Sequence, residues 1–374
     1  MRTSERRLLE MILSLPTAPF REYYVQRAIE RVARKLELSV RHDRYGNFYV
    51  SYHRGKSVPV AFAAHMDHPG FEVLEGGRQA RGVFWGGVTI ECLNGASVLS
   101  FPEPPPGTRR AETVPPTPVR GRISRVEPSP VPGTSRPRLL LDLDMEAEVS
   151  AGDFGCFDLP APDTEGNHLR APALDNLLSC VLILATLAGL KRRGVAADVV
   201  GVFTRAEEVG FVGAGGVLRS LHLGHQRPLV VLEMSKELPG FHMGSGPVLR
   251  VGDRMTCFDP LMDLWMSDAA AELRRQEPDF VYQRALMTGG ACEASLYMLH
   301  GRQVGAIALP LGNYHNMTPE GGIGSEFVSR SDFEQTLLLL QYLAAHPPGS
   351  DLIDKQRAAL DAVFTRLSPR LEPR

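Results

Sequence analysis

Glu207 and Glu208 stand side by side at the end of an apolar run, Asp198-Val-Val-Gly-Val-Phe-Thr-Arg-Ala-Glu-Glu-Val-Gly210. Such a run reads as a buried parallel strand, and open α/β sheets place their active sites at the carboxyl ends of those strands. Two adjacent carboxylates there can divide the labour: one binds a cation while the other takes up and returns a proton. Acidic pairs are common and usually solvated, so this one gains meaning only if partners converge on it.

Partners recur along the chain. A second buried strand, Val58-Pro-Val-Ala-Phe-Ala-Ala64, runs into His65-Met-Asp67. A third, Leu229-Val-Val-Leu-Glu233, ends in a carboxylate. Asp175 opens a helix in Pro172-Ala-Leu-Asp-Asn176, and His315 follows a last core strand in Leu309-Pro-Leu-Gly-Asn-Tyr-His315. Taken singly, each has a plain explanation: a strand-end histidine, a helix N-cap for Asp175, a surface glutamate, a loop histidine. Gathered at one sheet edge, the acids would repel and raise one another's pKa values. Two divalent cations would relieve that. Imidazole and carboxylate ligands without thiolates suit zinc, cobalt or manganese, ions that can lower the pKa of water to about 7. One carboxylate must then bridge the two ions. Of Glu207 and Glu208, one can ligate and the other accept the proton, and Asp67 can orient His65 through its second ring nitrogen.

The elements that position these groups alternate strand and helix. Helices are expected near 4–15, 22–36, 175–193, 214–221, 260–275, 292–300 and 331–345, with one more at the C-terminus. Strands are expected around Tyr45–Asn47 and near 58–64, 198–207, 229–233, 280–286 and 304–309. The fold class is therefore α/β, with a mostly parallel central sheet covered by helices on both faces. From 71 to 156 the texture changes to glycine-rich, short alternating stretches. The reading is a catalytic domain at 1–70 and 157–374 and an inserted small β domain at 71–156. Inside the insertion, 102–137 holds 11 of the 29 prolines and reads as a long loop or polyproline-like arm.

Composition narrows the function. With 374 residues and 43% apolar content, a large core is available. Forty-one Lys and Arg against 43 Asp and Glu give no basic footprint for nucleic acid and no polybasic membrane patch. The charged N-terminal stretch reads as an amphipathic helix and not a signal peptide, and five scattered cysteines without a CxxC fit a reducing cytoplasm better than a disulfide framework. His222 and His225 read as solvated surface, and His68 as a pocket wall more readily than a third-ion ligand.

His65-Met-Asp67, Ala173-Leu-Asp-Asn176, Glu207-Glu-Val-Gly210, Met243-Gly-Ser-Gly-Pro247 and His315 together resemble the metal-dependent aminopeptidase family that includes glutamyl, deblocking and tetrahedral aminopeptidases. The resemblance spans nearly the whole chain. The 110 positions between His65 and Asp175, and the 32 from there to Glu207, place the insertion where that family carries it. The resemblance implies a phosphorylase/hydrolase-like zinc peptidase fold with two divalent ions per subunit, zinc first and cobalt or manganese as alternatives. It implies one ion held by His65, Asp175 and Glu233, the other by Asp175, Glu208 and His315, with Glu207 as general base and a cis peptide after Asp175. It further implies hydrolysis of N-terminal residues from peptides and a homo-oligomer, at least a dimer and up to a dodecamer. Glu233 where the family usually has Asp, Leu177 in place of Arg, His68-Pro69, Gly289-Gly-Ala-Cys-Glu-Ala294 and Asn313-Tyr-His-Asn316 depart from its pattern and alter the substrate shell. A deacylase or amidase acting on small N-acyl compounds, and an inactive metal-binding scaffold, are the alternatives.

Overall fold

The computed structural model describes residues 1–55, 58–102, 104, 114–130, 138–220, 222–224, 227–349 and 352–371. Parts of the expected arm (103, 105–113 and 131–137) and His225 lie outside them.

From the N-terminus, α1 (Thr3–Leu13) and α2 (Tyr23–Lys35) precede β1 (Ser39–His42), β2 (Phe48–Arg54) and β3 (Pro59–His65). Then come β4 (Gly70–Glu75), β5 (Gly77–Trp85), α3 (Ile90–Leu93), β6 (Ser97–Phe101), β7 (Val119–Ser129), β8 (Arg138–Val149) and β9 (Phe154–Phe157). The chain continues through β10 (His168–Ala171), α4 (Leu174–Arg193), β11 (Ala197–Thr204), α5 (Val212–Arg219), β12 (Leu229–Lys236) and β13 (Val248–Asp253). Last come α6 (Pro260–Gln276), β14 (Gln283–Met287), α7 (Glu293–Leu299), β15 (Val304–Leu311), β16 (Glu326–Ser329), α8 (Arg330–Ala345) and α9 (Leu352–Leu367).

An eight-stranded sheet runs β1-β2-β11-β3-β12-β15-β13-β14, and its middle four strands, β11, β3, β12 and β15, are mutually parallel. Side chains alternate across a strand, so a strand buried on both faces must feed two cores. Val60, Phe62 and Ala64 of β3 join Val230 and Leu232 of β12 in one core, whereas Ala61 and Ala63 join Leu229 and Val231 in the other. Helices α1, α4, α6 and α8 cover the first face, and α5 and α7 the second. The central helix is α4, apolar nearly all round because it is walled in by the sheet, α1 and α8. Its 20 residues would suffice to cross a bilayer, but 89% of its apolar window is buried inside the protein, as befits a core helix. Lys191, Arg192 and Arg193 in its last turn and Gly194 at φ 64° end it.

Strands β4-β5-β8-β7-β6-β9 close into a barrel around Phe71, Phe84, Val98, Ile123, Leu141 and Leu143. Here the structure departs from the arm expected at 102–137, because β7 lies within it and pairs with both β6 and β8. The prolines cluster on either side of 119–127, which itself holds none, so the ladder donors survive. Strand β13 was not expected either: buried Arg250 interrupts an already short apolar run.

Gly155 sits in β9 where a Cβ would lie 2.1 Å from the Phe71 ring and 2.4 Å from the Leu99 carbonyl oxygen. Gly155→Ala is therefore expected to lower stability by about 1–3 kcal/mol in urea denaturation. Gly224→Ala, with nothing within 4 Å of the added carbon, should stay within about 0.5 kcal/mol.

Candidate metal centre

Three parallel strands deliver their groups to one edge. β3 ends at His65, β12 carries Glu233, and β11 hands the chain to Glu207 and Glu208 through Ala206, whose φ of 50° turns the backbone. Glu22, buried, steadies that turn by accepting from the Ala206 amide at 3.0 Å and from Arg205 Nε at 2.6 Å. Asp175 enters from the first turn of α4 and His315 from a short turn after β15. The Asp175–Asn176 peptide is cis, as the resemblance implied.

These groups meet. His65 Nε2 lies 3.4 Å from Asp175 Oδ1, 3.5 Å from Glu233 Oε1 and 3.9 Å from Glu207 Oε2. His315 Nε2 lies 3.2 Å from Glu208 Oε1 and 3.7 Å from Asp175 Oδ2. Asp175 thus turns one oxygen to each histidine, the disposition a carboxylate bridging two cations requires. Ligand atoms of His65, Glu207 and Glu233 fall within 4.8 Å of one another, and so do those of His65, Asp175 and Glu208. Distance alone therefore does not separate Glu207 from Glu208 as base and ligand.

The electrostatics ask for positive charge. Burial, reinforced by Glu233, pushes Asp175 up to about 7. Burial and the neighbouring acids hold Glu207 well above the usual carboxylate range. Burial disfavours charge on His315, yet Glu208 and Asp175 overcome it and lift the ring to about 10. His65 likewise stays well above its ordinary value against burial, with Glu207 the largest opposing influence. Asp175 Oδ1 and Glu233 Oε2 are buried and accept no hydrogen bond. An orphaned Asp175 oxygen facing the His65 imidazole, with a second orphaned carboxylate oxygen on Glu233, makes a donor set that fits divalent cations. Cys180 and Cys292 are no competitors, since burial drives both thiols far above their usual range.

The sequence profile of the M42 glutamyl aminopeptidase family matches residues 142–337, more than half of the chain and four of the five gathered ligand candidates. The chain belongs to the M42 family. Solved structures agree on the fold. The Pyrococcus horikoshii TET1 peptidase, described as assembling into a tetrahedron or a large octahedral shell, is 19% identical with a TM-score of 0.72, covering 91% of this chain and 99% of that one. The aminopeptidase APDkam598 from Desulfurococcus kamchatkensis is 21% identical with a TM-score of 0.72, covering 92% and 95%. A TET aminopeptidase from a marine-sediment thaumarchaeon is 18% identical with a TM-score of 0.74, covering 94% and 99%.

Around the M42 centre, a second ring of groups holds the main chain. Asp67 accepts from the Glu207 and Glu208 amides at 3.0 and 3.1 Å. His65 Nδ1 is closer to the Asp67 carbonyl, at 3.1 Å, than to the Asp67 carboxylate, at 3.5 Å. Asp67 therefore fixes the acid pair as much as it orients the histidine. His68 engages the Asp175 carbonyl through Nδ1 and Asn316 Oδ1 through Nε2, at 2.8 Å for the latter. It walls the site, and burial brings its pKa down to about 4, so the neutral ring, with its single N–H, donates to only one of these two oxygens.

Two more acids lie near the centre: the sequence reading did not single out Glu326, and it named Glu293 only within a segment that departs from the family pattern. Glu326 accepts from the Asp175 and His315 amides, both at 2.9 Å, and burial holds its pKa well above the usual range. Only its place as a lone acid opening an apolar strand could have flagged it. Glu293, fully buried, accepts from Thr204 Oγ1 at 2.9 Å, and burial lifts it to about 8. The folded chain thus keeps a proton on Glu293 that the unfolded chain releases near 4.5. That contribution to stability is complete below the unfolded value and fades as pH rises through the folded one. In the metal-free protein, Glu293→Gln should therefore match the parent near pH 4.5 and exceed it increasingly up to pH 9. Urea denaturation across that range checks this, and parallel curves would remove the buried protonated acid from the account.

Proposed function

We propose that this M42 chain is a dinuclear-metal aminopeptidase that removes N-terminal residues from peptides. The placement of Asp175, with one oxygen toward His65 and the other toward His315, carries the reading. His65, Asp175 and Glu233 would hold one cation, and Asp175, Glu208 and His315 the other. Asp175, Glu207, Glu208 and Glu233 bring four formal negative charges, which two divalent ions would balance. Zinc suits the imidazole and carboxylate donors, and cobalt or manganese can replace it.

When bound, the ions supply Lewis acidity that makes water nucleophilic at neutral pH and polarises the scissile carbonyl. Glu207 does the proton work. Its carboxylate lies beside the ligands, anchored through its amide to Asp67. It takes the proton of the attacking water and returns it to the leaving amine. Asp67 and Glu326 keep Glu207, Glu208, Asp175 and His315 in place through their backbone amides. No contact in the site favours a deacylase or an inactive scaffold.

We further infer a homo-oligomer, at least a dimer, supported by the described assemblies of the TET1 peptidase. A reducing, cytoplasmic setting suits the five free cysteines.

Chelation should abolish hydrolysis of aminoacyl amides and short peptides, and zinc, cobalt or manganese should restore it. Glu207→Gln should lower kcat by about 10²–10⁴-fold while still taking up metal. Unchanged turnover in that variant, or a chelator-resistant parent, would refute the reading. Light scattering should give a mass above the 41.0 kDa of one chain, and a lone monomer would overturn the assembly.

A further inference from the structure

The segment Trp85-Gly-Gly-Val88 leaves the barrel at the end of β5 and reaches the metal centre. There His315 Nδ1 stands 3.0 Å from the Gly87 carbonyl oxygen and donates to it. A neutral imidazole carries a single N–H, so a ring that donates from Nδ1 presents its lone pair at Nε2. That nitrogen is the one facing Glu208 and Asp175.

Space around this contact is tight. Gly86 has φ 110°, and a Cβ on it would lie 2.7 Å from Pro69 Cβ. A Cβ on Gly87 would lie 3.2 Å from His315 Nδ1 and 3.3 Å from Cε1. The ring has little room to retreat. Tyr314 stacks on it with centroids 3.8 Å apart, and the His315 backbone amide donates to Glu326 at 2.9 Å. Two glycines are therefore what let the barrel's main chain approach the imidazole.

We propose that Gly87 is a positioning residue for His315: its carbonyl selects the Nδ1–H tautomer and aims Nε2 at the second cation position. The inserted barrel then completes the metal centre as well as extending the molecule. This rests on reading His315 as a ligand. Gly87 would act only through the ring, by its carbonyl contact with Nδ1.

The test titrates the full-length, metal-free protein with cobalt(II), followed by visible absorption, in the parent, Gly87→Ala, His315→Ala, the double variant and Gly155→Ala. Gly87→Ala should weaken the second cobalt by about 10–100-fold, as loss of a partner behind a metal-bound histidine does. In the His315→Ala background the same change should have no further effect. Gly155→Ala, which disturbs the barrel away from His315, should lose stability and keep cobalt affinity. An unchanged affinity in Gly87→Ala, or an equal loss in both backgrounds, overturns the proposal. If His315→Ala itself binds two cobalt ions like the parent, the ligand reading fails first, and that result is distinct. Should Gly87→Ala not fold, nitrogen-15 NMR of the zinc-loaded parent decides: His315 should carry its proton on Nδ1, and a bare Nδ1 refutes the assignment.

Discussion

Crowding of like charge at the end of a parallel sheet is the constraint that everything else in this molecule serves. Asp175, Glu207, Glu208 and Glu233 share a space with the His65 and His315 imidazoles, and Arg250 adds positive charge near Glu233. Burial and the neighbouring acids push Asp175 and Glu207 toward the protonated form, whereas at Glu233 burial is outweighed by the His65 ring, helped by Arg250, and the carboxylate stays below its ordinary value. Packing has to hold them together until cations do the rest. It does so chiefly by gripping main chain. Asp67 takes two consecutive amides, and Glu326 takes two amides from segments far apart in sequence. A side chain pinned through its own backbone keeps both carboxylate oxygens free, which is the state a ligand needs.

The sheet explains why the groups can converge at all. Parallel strands all end on the same side, so β3, β11 and β12 bring their acids and histidine to one edge. Burial on both faces makes their register rigid, because a one-residue slip would exchange the contents of two packed cores. Helix α4, buried nearly throughout, offers Asp175 a foothold of equal firmness.

Much of this was legible beforehand, for identifiable reasons. Apolar runs ending in His65, Glu207–Glu208 and Glu233 announce strands and the edge they share, because hydrophobic continuity and strand-end chemistry are both local in sequence. Asp175 and His315 were legible through the motifs around them. Glu326 was not, since its partners lie 151 and 11 positions away and accepting an amide leaves no pattern in the sequence. Strand β7 was hidden by the prolines before it and by Pro128 near its end. Asp67 was assigned to His65 by its spacing, although its firmer bonds run to the next strand's exit, a contact that only the folded sheet creates.

The barrel's first and last strands, β4 and β9, pair with each other, Phe71 opposite Gly155. The chain thus departs from the barrel where it entered, between two strands hydrogen-bonded to each other. A change of length inside one of the barrel's hairpins would be absorbed between those fixed ends, whereas a change between Trp85 and Val88 would move the carbonyl that meets the His315 ring.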